Sequence, residues 1–176
     1  SKGANVLGEI REFDKRSLCH KRRAMARTKA TEVMVELLGT AMKAGHRAKY
    51  VPMDSWFSHP SQILDIKALG TNVIAMVKRS SKIRYRFDGQ MKNIKAIWAA
   101  CKKRRGRSKY LLSVPVQICV PGKEPVDARI VCVRNRNNRK DWIALISTDV
   151  SLSEEDIIRI YGKRWDIEVF FKACKS

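Results

Sequence analysis

Apolar residues recur at two different spacings along this chain, and the switches between them mark its elements. From Thr28 to about Gly45 the residues are good helix formers. Val33, Leu37, Leu38 and Met42 return at helical intervals, and Gly45 supplies a stop. Lys49 to Met53 reads as a short strand ending at Asp54. Pro60 to Leu69 reads as a helix closed by Gly70. Residues 72–77 form a continuous apolar run between polar neighbours, the pattern of a buried parallel strand. Helix, strand, helix, strand is an α/β order.

The pattern then changes. Arg84 to Phe87 reads as a strand before an Asp88-Gly89 turn, and Asn93 to Lys102 as a short helix. Lys102 to Arg107 is a basic loop. Tyr110 to Val120 and Val126 to Arg134 predict a hairpin joined through Pro121 to Pro125, and Trp142 to Ser147 predicts a third strand. Last, Ser151 and Glu154 have the spacing of a capping box, with Ser151 as N-cap. A helix is expected from Ser153 to the end, carrying Ile157, Ile158, Ile160, Trp165, Ile167, Val169, Phe170 and Phe171. Those side chains point in most directions, so much of this helix must be buried. The expected organisation is a basic arm over 1–27, a first core segment over 28–80, a β-rich insertion over 81–150 and a closing helix over 151–176. No internal repeat is visible.

Charge narrows the class of partner. The 176 residues carry 37 Lys and Arg against 17 Asp and Glu, a formal charge of +20. A polyanion is the economical explanation, because each phosphate neutralised releases a condensed counterion. Hydrophobic residues make up 44% of the chain, too many for a disordered basic tail. Cys19, Cys101, Cys119, Cys132 and Cys174 are odd in number and form no CxxC pair. His20, His46 and His59 are scattered. The reading is a reduced cytoplasmic protein with no structural zinc, and no apolar run reaches the length of a membrane span.

The chemistry-bearing pattern lies on the last helix. Tyr161, Arg164, Glu168, Lys172 and Lys175 are spaced 3, 4, 4 and 3 apart. At about 100° per residue they share one narrow face. A carboxylate among cations on an otherwise apolar helix is costly unless that face meets water, metal or phosphate. Spacing alone leaves a solvated stripe with an Arg164–Glu168 pair equally open.

Tyr161, Arg164, Glu168 and Lys175 match in type and spacing the Y-(2)-R-(3)-E-(6)-K signature of insertion-sequence DDE transposases. The chain most resembles the insertion sequence four family. Met53-Asp54-Ser55-Trp56-Phe57 resembles the family's second-aspartate segment. Arg134 to Asn137 and Trp142 to Asp149 resemble its β insertion. The resemblance runs from about Phe13 to the end. It implies an α/β, ribonuclease-H-like core interrupted by a β-rich insertion, in a bacterial, nucleoid-associated protein of the cytoplasm.

The implied activity is cleavage and strand transfer of double-stranded DNA, at transposon ends and target, with a homodimer in the DNA complex. The cofactor would be Mg²⁺, with Mn²⁺ as substitute. Two such ions about 4 Å apart activate the attacking oxygen and stabilise the leaving one. Asp54 and Glu168 would be metal-binding catalytic residues. Tyr161, Arg164 and Lys175 would hold DNA phosphates; helical geometry adds Lys172. Trp142 has two open readings, stacking on a flipped base or packing within the strands. Trp56 and Trp165 read as core. Lys21 to Arg23 and Lys102 to Arg107 are candidate phosphate tracks.

Asp14 is the only Asp before Asp54, and it stands in a charged segment. The expectation is therefore that the first catalytic Asp and three strands are absent. The chain would then be a fragment, with low turnover alone and an uncovered sheet edge. Two other readings remain: a catalytically dead DNA-binding remnant of a transposase, or an unrelated basic RNA-binding protein in which Glu168 has no role.

Overall fold

The computed structural model describes residues 14–135, 138 and 140–174, and it forms two compact units, Ser1–Arg47 and Ala48–Ser176. In the first, α1 (Leu18–Arg27) and α2 (Ala30–Lys43) are helices. The expected arm over residues 1–27 is thus helical in its second half. Ser17 caps α1 by accepting from His20 N at 3.2 Å. With Leu18 and Met25 as its only large aliphatic side chains, α1 offers too short an apolar stripe to announce it. In α2, Val33, Leu38 and Met42 are half-buried and Leu37 is exposed.

The second unit is built on a seven-stranded, mostly antiparallel sheet. Its strands are β1 (Tyr50–Met53), β2 (Asn72–Met76), β3 (Tyr85–Phe87), β4 (Gln90–Lys92), β5 (Leu112–Ile118), β6 (Val126–Arg134) and β7 (Trp142–Ser147). The helices are α3 (Pro60–Ala68), α4 (Ile94–Ala100) and α5 (Glu154–Ala173). The order across the sheet is β1-β2-β7-β6-β5-β3-β4. β1 and β2 are parallel, joined through α3, and β7 runs antiparallel beside β2. The strands read as an insertion therefore continue the same sheet.

Local chemistry accounts for these elements. His59 caps α3, Pro60 occupies its first turn, where a missing N–H costs nothing, and Gly70 (φ +86°) ends it. Asp88 (φ +50°) and Gly89 (φ +72°) are the two positive-φ residues that a tight β3–β4 hairpin demands. β4 is an element the pattern did not predict. The cap of α5 is also shifted by two residues: Ser153 Oγ accepts from Asp156 N at 3.1 Å. Ser151, the expected cap, instead bonds Asp149 through both its N–H and its hydroxyl.

Alternation assigns the two faces of the sheet. Leu112, Val114 and Val116 are buried on one face of β5, beside Cys132, Ile130 and Ala128 of β6. The other face of the sheet carries Ile74, Val131, Val133 and Leu145, which pack with Ile157 and Tyr161 of α5. Pro115 lies in β5, where β3 pairs only at Gln117 and leaves room for a residue without a donor. β1 is an outer strand with β2 as its neighbour. Asn72 N donates to Lys49 O at 3.2 Å. Parallel pairing alternates from there, so the nitrogen of Pro52 lies on the outer flank.

Tyr85 is fully buried, and its hydroxyl has no hydrogen-bond partner among the described residues. Burial pushes its pKa up, so the phenol stays neutral. Tyr85→Phe should therefore raise stability by about 1 kcal/mol, read as a higher urea midpoint. A loss of similar size would mean that the hydroxyl is bonded.

Candidate functional site

Asp54 follows the last residue of β1, at the end of the parallel β1–β2 pair. In open α/β sheets the crevice beyond the carboxyl ends of the strands is the usual ligand site. Its side chain is half-buried, and Oδ1 accepts from Trp56 N at 2.8 Å. That bond fixes the turn Asp54-Ser55-Trp56 and leaves Oδ2 available. The next strand delivers cations to the same end: β2 is followed by Lys78 and Arg79, both exposed. Ser55, Met76, Val77, Lys78, Arg79, Asp141 and Ile143 line a cavity of about 200 Å³ there.

α5 lies against one face of the sheet. It packs against β1, β2 and β7. Just before it, Asp149 accepts from the Tyr50 hydroxyl at 2.9 Å, where β1 begins. Ser113 and Arg129 both donate to Glu154 Oε1, at 2.8 and 3.3 Å, and fasten its first turn to β5 and β6. The Glu154 carboxyl is held below its ordinary pKa, first by its own backbone N–H, then by Ser113. From this anchor the 20 residues of α5 extend about 30 Å.

The expected stripe on α5 begins inside the core. Tyr161 is 3% exposed and packs with Ile74 and Leu145. Arg164 is half-buried, its guanidinium carbon 5.6 Å from the Tyr161 ring centre. The side chains of Trp165, Ile167, Glu168, Val169, Phe170, Phe171 and Lys172 lie outside the described residues. So does the Lys21 side chain, and so do Arg136, Asn137 and Lys175 entirely. Among the described residues, no group of three or more His, Cys, Asp or Glu side chains is placed to hold a metal ion.

Trp142 sits in a stack. Its ring lies 4.3 Å from that of Trp98, tilted by 12°, and the Arg79 guanidinium lies 4.3 Å from its centre. Two groups at that distance must take opposite faces, so both faces of Trp142 are covered. The Lys103 ammonium lies 4.9 Å from the Trp98 ring. Arg79 is held by Asp141 at 2.7 Å. Asp141 is pushed down to about 2, first by that hydrogen bond and then by the Trp142 N–H. A depressed carboxyl keeps its charge until pH falls through the folded value, so the clamp on Arg79 persists to about pH 2. A base could stack on Trp142 only by displacing Trp98 or Arg79.

A family model described as "Transposase DDE domain" matches residues 17–176. This chain belongs to the transposase DDE domain family. No curated protein matches it. Members of this family are DNA-processing enzymes, and a transposase domain with a charge of +20 is suited to a phosphate backbone. No helix among the described residues of this transposase domain is long and apolar enough to cross a membrane.

Sequence reading passed over several residues of this site. Trp56, read as core, is 71% exposed, two residues past Asp54. Lys78 and Arg79 received no role, although cations directly after a strand parallel to β1 were a usable signal. Trp98 and Lys103 carried no spacing that linked them to Trp142, because the stack joins α4, a loop and β7.

Proposed function

We propose that this transposase domain has a ribonuclease-H-like core of the insertion sequence four type and takes part in metal-dependent DNA cleavage and strand transfer. The single observation that carries the reading is the placement of Asp54. It directly follows β1 of a parallel β1-α3-β2 unit, in a sheet against whose β1 and β2 α5, the helix bearing Glu168, packs.

Asp54 fits a hard divalent ion: it is a carboxylate at a strand end, with one oxygen fixed and the other available. With Glu168 it would hold Mg²⁺ or Mn²⁺, which supplies charge stabilisation at the attacking and leaving oxygens. Around it, Arg164, Lys172 and Lys175 would bind phosphates, and Tyr161 would support them from the core. Trp142 would serve a flipped base after its stack opens. Transposon ends and target DNA are the substrates in this reading, brought together by a homodimer. The test is Mn²⁺ binding, followed by electron paramagnetic resonance. Binding lost in Asp54→Asn and in Glu168→Gln supports a shared ion, and binding intact in both overturns it.

The basic loop Lys102 to Arg107 gives a second expected result. Arg134 donates to the carbonyls of Gly106 and Ser108 at 2.8 and 2.9 Å, and holds the loop in place. Lys102, Arg105 and Arg107 are exposed within it. If all three meet phosphates, replacing them with Gln should flatten the log–log salt dependence of duplex binding by about 2.7. An unchanged slope removes this loop from the DNA path.

A further inference from the structure

Trp56 is the large exposed aromatic residue nearest Asp54. It is 71% exposed, and so leaves aromatic surface open to a ligand. The Trp56 N–H bond to Asp54 Oδ1, at 2.8 Å, ties its backbone to the candidate catalytic carboxylate. The Lys78 ammonium stands 5.5 Å from its ring centre. Next to it, the cavity lined by Ser55, Lys78, Arg79 and Asp141 offers a hydroxyl and the Lys78 cation, while Asp141 holds Arg79 at 2.7 Å. Trp142, by contrast, has both faces covered by Trp98 and Arg79.

We propose that Trp56 and Lys78 form a nucleotide subsite, in which an unpaired DNA base stacks on Trp56 while Lys78 meets its phosphate. This inference rests on the DNA-processing reading above and adds to the flipped-base role of Trp142 a second base-binding surface, outside the strands β5 to β7. The chemistry requires a flat, sequence-tolerant surface beside a positive charge, and every base has a π face to offer it. A fully paired end keeps its bases stacked on one another, so the subsite selects frayed or single-stranded nucleotides next to the cut.

The experiment uses two DNA duplexes of equal length, one blunt and one ending in an unpaired 2-aminopurine. The unsubstituted chain should bind the second more tightly and quench its fluorescence. Trp56→Ala should weaken binding to the overhang by about tenfold, which is about 1.4 kcal/mol and within the range for base–aromatic stacking. It should abolish quenching and change blunt-duplex affinity less than about twofold, while Trp56→Phe restores most of both overhang signals. Overhang affinity and quenching untouched in Trp56→Ala would overturn the subsite and leave DNA binding standing. Equal weakening on both duplexes would overturn it as well. If the unsubstituted chain binds neither duplex, the DNA-processing reading falls together with the subsite.

Discussion

Asp54→Asn should lower the Mn²⁺ affinity of this transposase domain by at least about tenfold, and Glu168→Gln should do the same. Divalent ions of this class bind through charged, hard oxygens, and an amide removes the charge while keeping the shape. Asn at position 54 can still accept the Trp56 N–H, so the turn that holds the side chain survives. Even groups that only support a ligand cost about 10- to 100-fold when removed, and a ligand itself should cost no less. The pair of changes decides whether the two carboxylates share an ion. Shared ligation makes the double variant lose much less than the two single losses added together, whereas separate sites add. Additive losses, or a single variant with native affinity, would take Glu168 out of the proposed centre.

Ile157→Ala should destabilise the second unit by about 3 kcal/mol. Ile157 is fully buried under α5, against Ile74, Val131, Val133, Leu145 and Tyr161. Truncation removes three methyl or methylene groups and leaves a cavity that strands on three sides cannot collapse to fill. For a domain of this size the loss should lower the melting temperature by roughly 6–12 °C. Mn²⁺ affinity should fall along with it, because the same contact positions the helix that carries Glu168. A loss under about 1 kcal/mol would show that α5 is held by its first-turn bonds from Ser113 and Arg129 and not by the core.

Local signals made the first half of the sheet readable. The apolar run of β2, Pro60 and Gly70 around α3, and Asp88-Gly89 each fix backbone geometry within a few residues, and each is where the pattern placed it. β4 escaped because three residues with none fully buried leave no alternation to see. α1 escaped because Leu18 and Met25, its large aliphatic side chains, are too few to show a helical period. The capping serine of α5 was misplaced by two residues because Ser151 and Ser153 both precede an acidic residue at the right distance. The seating of β7 against β2 depends on pairing between residues far apart in sequence, as between Ile74 and Ser147, 73 residues on, which periodicity does not encode. Asp54 was legible through its neighbours, but nothing in composition says that the indole two residues later faces solvent. Spacing likewise put Tyr161 on a polar stripe, and packing put it in the core.

Pro52 has an outcome for how molecules meet one another. A second copy laid strand to strand along the outer flank of β1 would find no N–H at that residue, and one of its own carbonyls would go unanswered. Along that flank β1 is thereby a poor template for fibre growth, while a segment shaped to pass Pro52 without needing that donor can still dock there.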